Sequence, residues 1–230
     1  MPAWDDLPPI VLAHGWGGSP AIDWPEDGLR KDLEVQGRPV VAPPLPGHRR
    51  EPSPTDPEAY RDLAKLFADS LHVERFDGVG YSLGGKLLLE IAAREPRRVR
   101  RLVIVGVGGN LFRGENGNAV ADALAHSANS QTAPAIRQVV DMALASGNDP
   151  SAMAAVIRRP TTPISPADLA EVSAEVLLLA GGRDRIGHSP EELVDALPHA
   201  HLAILPDLDH GQLRRSAQVS ALASAFLIAP

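Results

Sequence analysis

Six short runs rich in Val, Ile and Leu recur along the chain, at 9–13, 38–42, 76–80, 99–105, 176–180 and 201–205, and most are separated by stretches of helical periodicity. A run that is apolar at nearly every position, not at every second one, has to be covered on both faces. Strands of that kind alternating with helices predict an α/β chain: a mainly parallel sheet of about six strands with helices on both faces. The helical stretches fit this reading. Residues 27–36 form one, stopped by Gly37. Residues 57–72 form another, with Asp56 as its cap, Pro57 in its first position, and Tyr60, Leu63, Ala64, Phe67 and Leu71 on one face. In 83–95, Leu87, Leu88 and Ile91 face inward and Pro96 ends the helix; 190–197 is a short helix, and 211–227 the last, with Leu213, Ala217, Val219, Leu222 and Phe226 turned inward.

The alternation stops between 106 and 165. This segment opens with a Gly/Asn-rich stretch, 106–118, and shows no strand pattern. In 132–146, Ile136, Val139, Val140, Ala143 and Leu144 recur at helical spacing before Gly147, and Asp149-Pro150 starts a further helix that runs to about Arg159. The chain therefore divides into an α/β core, 1–105 and 166–230, and a small helical cap insertion, 106–165, over the strand ends.

Composition removes several classes of function. Across 230 residues, 22 Lys and Arg stand against 29 Asp and Glu, a net charge of −7. A general nucleic-acid binder or an anionic-membrane surface protein needs the opposite balance, so neither partner is expected. The absence of cysteine excludes disulfides, thiolate metal sites and a Cys nucleophile. The apolar runs fall far short of the roughly 20 residues of a membrane span, and Met1 to Asp6 lack the order of a signal peptide. A soluble cytoplasmic chain is expected; the pattern carries no signal for oligomeric state.

The chemistry gathers at Gly80-Tyr81-Ser82-Leu83-Gly84, a G-x-S-x-G pattern placed between an apolar run and an amphipathic helix. There a serine sits on a tight strand-to-helix corner, and glycines two positions to either side relieve crowding. The Leu83 N–H, at the helix start, points where an oxyanion would develop. A serine hydroxyl needs a base, and the base an acid that orients it. Asp184 follows the fifth run and His210 the sixth, which gives the order Ser, Asp, His. Asp207 and Asp209 stand as alternative acids beside His210, and His188 as an alternative base four residues after Asp184. His48, His72, His126, His199 and His201 read as surface or structural, and His14 as bonded within its own loop. Gly80, Gly84 and Gly85 do not form a dinucleotide fingerprint, and His199-x-His201 lacks a third ligand for zinc. No cofactor and no metal are expected.

With these residues in place, about 170 positions of the chain resemble the α/β-hydrolase fold superfamily. The resemblance implies Ser82 as nucleophile, His210 as general base and then acid, and Asp184 as the orienting acid. It implies His14-Gly15-Trp16 as an oxyanion loop, with the Trp16 N–H beside that of Leu83 and the Trp16 side chain against the acyl group. Leu45-Pro46-Gly47-His48 occupies the place of a turn found in many members. Three departures stand out. Too few residues precede the first run for the antiparallel strand pair with which many members begin. Asp209 replaces the frequent Gly before the His, where a carboxylate would raise the His210 pKa or point to solvent. Arg49-Arg50-Glu51 replaces the usual Gly-x-Ser.

In the insertion the charges cancel, with Arg113, Arg137, Arg158 and Arg159 against Glu115, Asp122, Asp141 and Asp149, and the apolar residues are aliphatic apart from Phe112. A mostly apolar pocket lined by Trp16, Tyr81, Leu111, Phe112, Ile136 and Val140 follows. The expected activity is hydrolysis of a small-molecule substrate with an ester-like carbonyl through an acyl-enzyme on Ser82. A C–C hydrolase, lactonase, thioesterase or lyase would use the same three residues, and a ligand-binding module without catalysis would keep only the fold.

Overall fold

The computed structural model describes residues 7–49, 52–113, 117–126 and 132–228. The acidic stretch 1–6, Arg50, Glu51, Glu115 and the side chain of His126 lie outside the described residues. Strands β1 (Ile10–Ala13), β2 (Val40–Val41), β3 (Phe76–Tyr81), β4 (Val99–Val105), β5 (Glu175–Gly181) and β6 (Ala200–Leu205) form one sheet in the order β2-β1-β3-β4-β5-β6. Every neighbouring pair is parallel, and no antiparallel strand occurs among the described residues. The chain leaves β1 toward one edge and returns to its other side as β3. The strand order therefore reverses between β1 and β3, and at such a switch point the loops beyond the strand ends part into a crevice.

Side-chain alternation sorts the core into two layers. Val11 and Ala13 of β1 join Leu102 and Ile104 of β4 on one face, under α3 (Leu63–Ser70) and α4 (Leu83–Arg94). Ile10 and Leu12 join Val103 and Val105 on the other face. There α2 (Leu29–Val35) contributes Leu29 and Leu33, and the last helix contributes Val219, Ala223 and Leu227. Leu87, Leu88 and Ile91 are buried as the periodicity of their helix requires.

Two helices are shorter than the periodicity suggests, for the same reason. In 57–72, Asp56 caps only a 3-10 turn, Pro57–Tyr60. The Asp62 carboxylate then accepts from Lys65 N at 3.1 Å and starts α3 afresh. A side chain that takes a backbone amide ends one helix and begins the next. In 211–227 the helix divides into a single turn, His210–Leu213, and a helix from Ala217 to Ile228, with Ser216 Oγ 3.5 Å from Val219 N at the restart. The break rotates the register: Ala217 and Leu222 face solvent, and Ala223 and Leu227 take the inward positions. The strand expected at 38–42 is only the pair Val40–Val41: Pro39 before it has no N–H to give a ladder, Pro43 and Pro44 follow closely, and Arg38 enters a buried ion pair.

Between β4 and β5 every element among the described residues is a helix or helical turn. After a 3-10 turn at Gly109–Phe112 come α5 (Asn118–His126), α6 (Pro134–Ala145), α7 (Pro150–Arg158) and α8 (Pro166–Leu169), where α1 is Pro20–Asp23; α9 (Pro190–Ala196) follows β5. Ala121, Leu124, Val140, Ala143, Met153 and Ala154 of α5, α6 and α7 form a separate apolar cluster, and Trp16 packs against both it and the main core. The Trp16 indole N–H donates to Met153 O at 3.2 Å, tying this layer to the loop after β1. Among the described residues, no helix is long and apolar enough to cross a membrane.

Candidate active site

Ser82 stands at the C-terminal end of β3 with φ 50° and ψ −115°, one of two described non-glycine residues at positive φ. Such a conformation costs about 1–3 kcal/mol and persists only where its surroundings enforce it. Here its N–H donates to Val105 O at 2.8 Å, and the helix α4 begins at once. A Cβ on Gly80 would come within 2.5 Å of Gly85 Cα, and one on Gly84 would collide with the carbonyl oxygen of Ala13. The two glycines thus serve different contacts: Gly80 lets the strand meet its own helix, and Gly84 lets that helix approach β1.

Three side chains from three strand ends form one chain of hydrogen bonds. His210 Nε2 lies 3.1 Å from Ser82 Oγ, and His210 Nδ1 lies 2.8 Å from Asp184 Oδ2. The other Asp184 oxygen accepts from the N–H groups of Ile186 and Gly187 at 2.7 and 2.9 Å. Burial pushes the Asp184 carboxyl up, but the bond and charge of His210 and the two amides outweigh it and hold the group below its ordinary value. The competing acids are occupied elsewhere. Asp209 caps α10 (His210–Leu213), exchanging bonds with Gln212, and Asp207 pairs with Arg183 at the surface. The Tyr81 hydroxyl donates to His210 O at 2.9 Å, and burial pushes its phenol well up, so it stays a donor. His188 lines the cavity but contacts Ser189, not Ser82.

The amides near Ser82 sort themselves by elimination. In the loop after β1, Gly15 N–H donates to Asp23 Oδ2 at 2.9 Å and Gly17 N–H to His48 Nε2 at 3.0 Å. At the elbow, Ser82 N–H is taken by Val105 O and Gly84 N–H by His14 O. Among the described residues, neither Trp16 N–H nor Leu83 N–H has an acceptor in the protein. Two free amides remain, one from each side of the β1–β3 switch point. Burial pushes the Asp23 carboxyl up, and the Gly15 amide and Arg214, at 2.8 Å, pull it back.

Two histidines hold the loop as neutral rings. His14 reaches beyond its own loop: Nδ1 is 2.8 Å from Gly15 O, and Nε2 accepts from Leu45 N at 2.9 Å. His48 Nδ1 lies 3.2 Å from Pro46 O, and the two rings meet edge to face at 5.2 Å. Burial lowers His14 to about 4 and His48 to about 3, from 6.5. Below pH 6.5 the unfolded chain takes up protons that the folded chain refuses. Their stabilising contribution is therefore whole above pH 6.5 and is lost as pH falls through about 4 and 3. At about 1.4 kcal/mol per unit, His14 alone accounts for a loss on the order of 3 kcal/mol by pH 4. Urea unfolding at pH 7, 5.5 and 4.5 checks this. The midpoint should fall steeply, and His48→Gln should flatten the fall; equal midpoints would contradict it.

A cavity of about 610 Å³ adjoins Ser82, Leu83 and His210. Of the residues expected in the pocket, Trp16 and Tyr81 line it. Leu111 and Phe112 do not: both pack on the main core, and Leu111 borders a smaller neighbouring cavity. Ile136 and Val140 turn into the seam between the insertion's helices. Their places are taken by Val120, Val139, Met142, Ile157 and Ile186, joined by Lys86, Arg113 and Arg159. Val139 and Met142 carry the same aliphatic signal as Ile136 and Val140; Lys86 and Ile186 had no signal beyond lying near the Ser and Asp motifs. Among the described residues, no group of three His, Asp or Glu side chains is placed to hold a metal ion.

The family model described as "Alpha/beta hydrolase family" matches residues 10–222. Over 108 residues the chain is 35% identical to 2-hydroxymuconate semialdehyde hydrolase of Pseudomonas sp. (strain CF600), a match covering 45% of this chain and 38% of that one. Over 102 residues it is 37% identical to the pimeloyl-[acyl-carrier protein] methyl ester esterase of Aromatoleum aromaticum, covering 43% and 37%. The match thus spans well under half the length of these relatives. Among solved structures, 2-hydroxy-6-oxo-6-phenylhexa-2,4-dienoate hydrolase from Rhodococcus sp. strain RHA1 superposes with a TM-score of 0.68 at 22% identity, over 97% of this chain and 91% of that one; at that identity the likeness is one of fold.

Proposed function

We propose, from the premise that this chain belongs to the alpha/beta hydrolase family, that it is a serine-dependent hydrolase of carboxylic esters of small molecules. The observation that carries the reading is the unbroken line from Asp184 through His210 to Ser82, with the serine strained at a strand end beside two free amides. Ser82 Oγ attacks the ester carbonyl as His210 Nε2 takes its proton. Asp184 holds the ring with Nδ1 protonated and stabilises the imidazolium. The Trp16 and Leu83 amides bind the oxyanion. His210 returns the proton to the departing alcohol, leaving an acyl group on Ser82. Water, deprotonated by His210, then releases the acid. The helical segment 106–165 serves as a cap, with its aliphatic side chains against the substrate.

A second reading, cleavage of a carbon–carbon bond beside a carbonyl by the same residues, has one observation in its favour. The Pseudomonas relative is named for a hydrolysis substrate whose name contains no ester. Incubation with a fluorophosphonate followed by peptide mass spectrometry tests what both readings share: one adduct is expected, on Ser82, and abolished by His210→Ala. A well-folded chain without that adduct would overturn both. Turnover of 4-nitrophenyl esters against a vinylogous diketone then separates them.

A further inference from the structure

The −7 balance of the whole chain is not shared by its cleft. Three described residues lining the cavity at Ser82 are cations, Lys86, Arg113 and Arg159, and none of the described lining residues is Asp or Glu. The same three side chains border the smaller neighbouring cavity, of about 70 Å³, so they stand where the two hollows meet. Lys86 is half-buried on α4, four residues from Ser82, or about 6 Å of helical rise. Arg159 is half-buried at the end of α7, its Nη1 fixed on Val156 O at 2.8 Å. Arg113 is more exposed, and Glu192 at 3.0 Å already balances its charge. Glu90, on the smaller cavity, is paired with Arg94. Lys86 and Arg159 keep further interactions of their own, and Arg159 also acts on the Glu90 carboxylate; among the described residues, the charged side chains on the cavity at Ser82 are cations, and the rest of the lining is largely aliphatic. Charges of one sign in a cleft with low-dielectric walls concentrate the opposite sign.

Resting on the serine-hydrolase reading above, we propose that the substrate carries a second, anionic oxygen group remote from the scissile carbonyl, held by Lys86 and Arg159. A carboxylate on a small acid and a phosphate on a carrier group share this chemistry. The reactive end would lie between Ser82 and the two free amides, an aliphatic stretch against Val139 and Met142, and the anion at the junction of the two cavities.

The test is competition against fluorophosphonate labelling of Ser82. Boronic acids that bond reversibly to the serine oxygen serve as probes: butylboronic acid, 3-carboxypropylboronic acid and 3-phosphonopropylboronic acid. The carboxylated probe should protect at a concentration roughly tenfold or more below the neutral one, the scale of a hydrogen bond to a charged group. In Lys86→Met and Arg159→Met that ratio should fall toward one. Both probes are read on the same protein, so a general loss of reactivity leaves the ratio unchanged. High salt should compress the ratio in the unaltered chain, a readout that needs no variant to fold. A phosphonate advantage over the carboxylate assigns the phosphate source, and its absence the carboxylate source. Equal protection by neutral and anionic probes, or a ratio unmoved by both substitutions, overturns the proposal while Ser82 is still labelled. Failure to label Ser82 overturns the hydrolase reading and this proposal with it.

Discussion

Ser82→Ala should lose on the order of 10⁴–10⁶ in kcat toward small esters while the chain folds as before. The size of the loss follows from what remains. His210 would still face the cavity and the two free amides would still bind an oxyanion, but no covalent step could begin, and binding plus oxyanion stabilisation retain only about 10³–10⁴ over water. The fold survives because the serine hydroxyl's contact is with His210, and Ala keeps the Cβ without filling new space. His210→Ala should fall as far, and the double variant little further, because the residues act as one unit. Steady-state turnover of a 4-nitrophenyl ester, with a thermal melt of each variant, checks both halves. Hydrolysis by Ser82→Ala near the level of the unaltered chain would remove the nucleophile from the mechanism.

Legibility in the sequence followed the range over which each determinant acts. The β3–α4 corner was readable because it is local: an apolar run, two glycines around a serine and a helical period all lie within 20 residues. The sheet was readable because its inner strands β1, β3, β4 and β5 are largely buried on both faces and so carry their own signal, while the edge strands β2 and β6, only partly covered, kept enough apolar residues to share it. The breaks at Asp62 and Ser216 were not, since a polar residue on a helix's outer face looks the same whether its side chain meets water or captures an amide. The choice of Asp184 over Asp207 and Asp209 rested on non-local facts: one neighbour caps a helix and the other pairs with Arg183.

The pocket was the least legible part, for a geometric reason. On α6 successive residues differ by about 100° around the axis. Val140 falls in the seam between helices and Val139 faces the cavity, so which of two adjacent aliphatic residues meets a substrate depends on how the helix is turned on its neighbours, which its own sequence does not state. Charge behaved in the same way. Summed over 106–165 it cancels, but Arg158 pairs with Asp122 outside the cavity lining and Arg159, the next residue, lies on the cavity. A net count erases the asymmetry that a face-by-face view reveals.

Asp77→Ala should destabilise the fold by about 3–5 kcal/mol, the range for breaking a buried ion pair from one side. Asp77 interrupts an apolar run, and nothing in the run itself says what its charge meets. In the fold it is fully buried, 2.6 Å from the equally buried Arg38 and 2.5 Å from Arg100. Arg38 also donates to Pro8 O and Leu227 O, so this one carboxylate neutralises a clamp between the residues leading into β1 and β2, strand β3 and the C-terminal end of α11 (Ala217–Ile228). Its removal strands a guanidinium in the core, with Nε already lacking a partner among the described residues. Arg38→Met should cost less, because Arg100, with a side chain 19% exposed, still pairs with Asp77. Combining Asp77→Leu with Arg38→Met should recover much of the loss, since apolar packing can replace a buried pair of similar volume. The cluster lies at the start of β3, the opposite end of that strand from Ser82, so turnover at low temperature should persist in all three variants. Urea unfolding ranks them; a loss below about 1 kcal/mol for Asp77→Ala would show that water or main-chain carbonyls, two of which Arg38 already reaches, are enough to satisfy it.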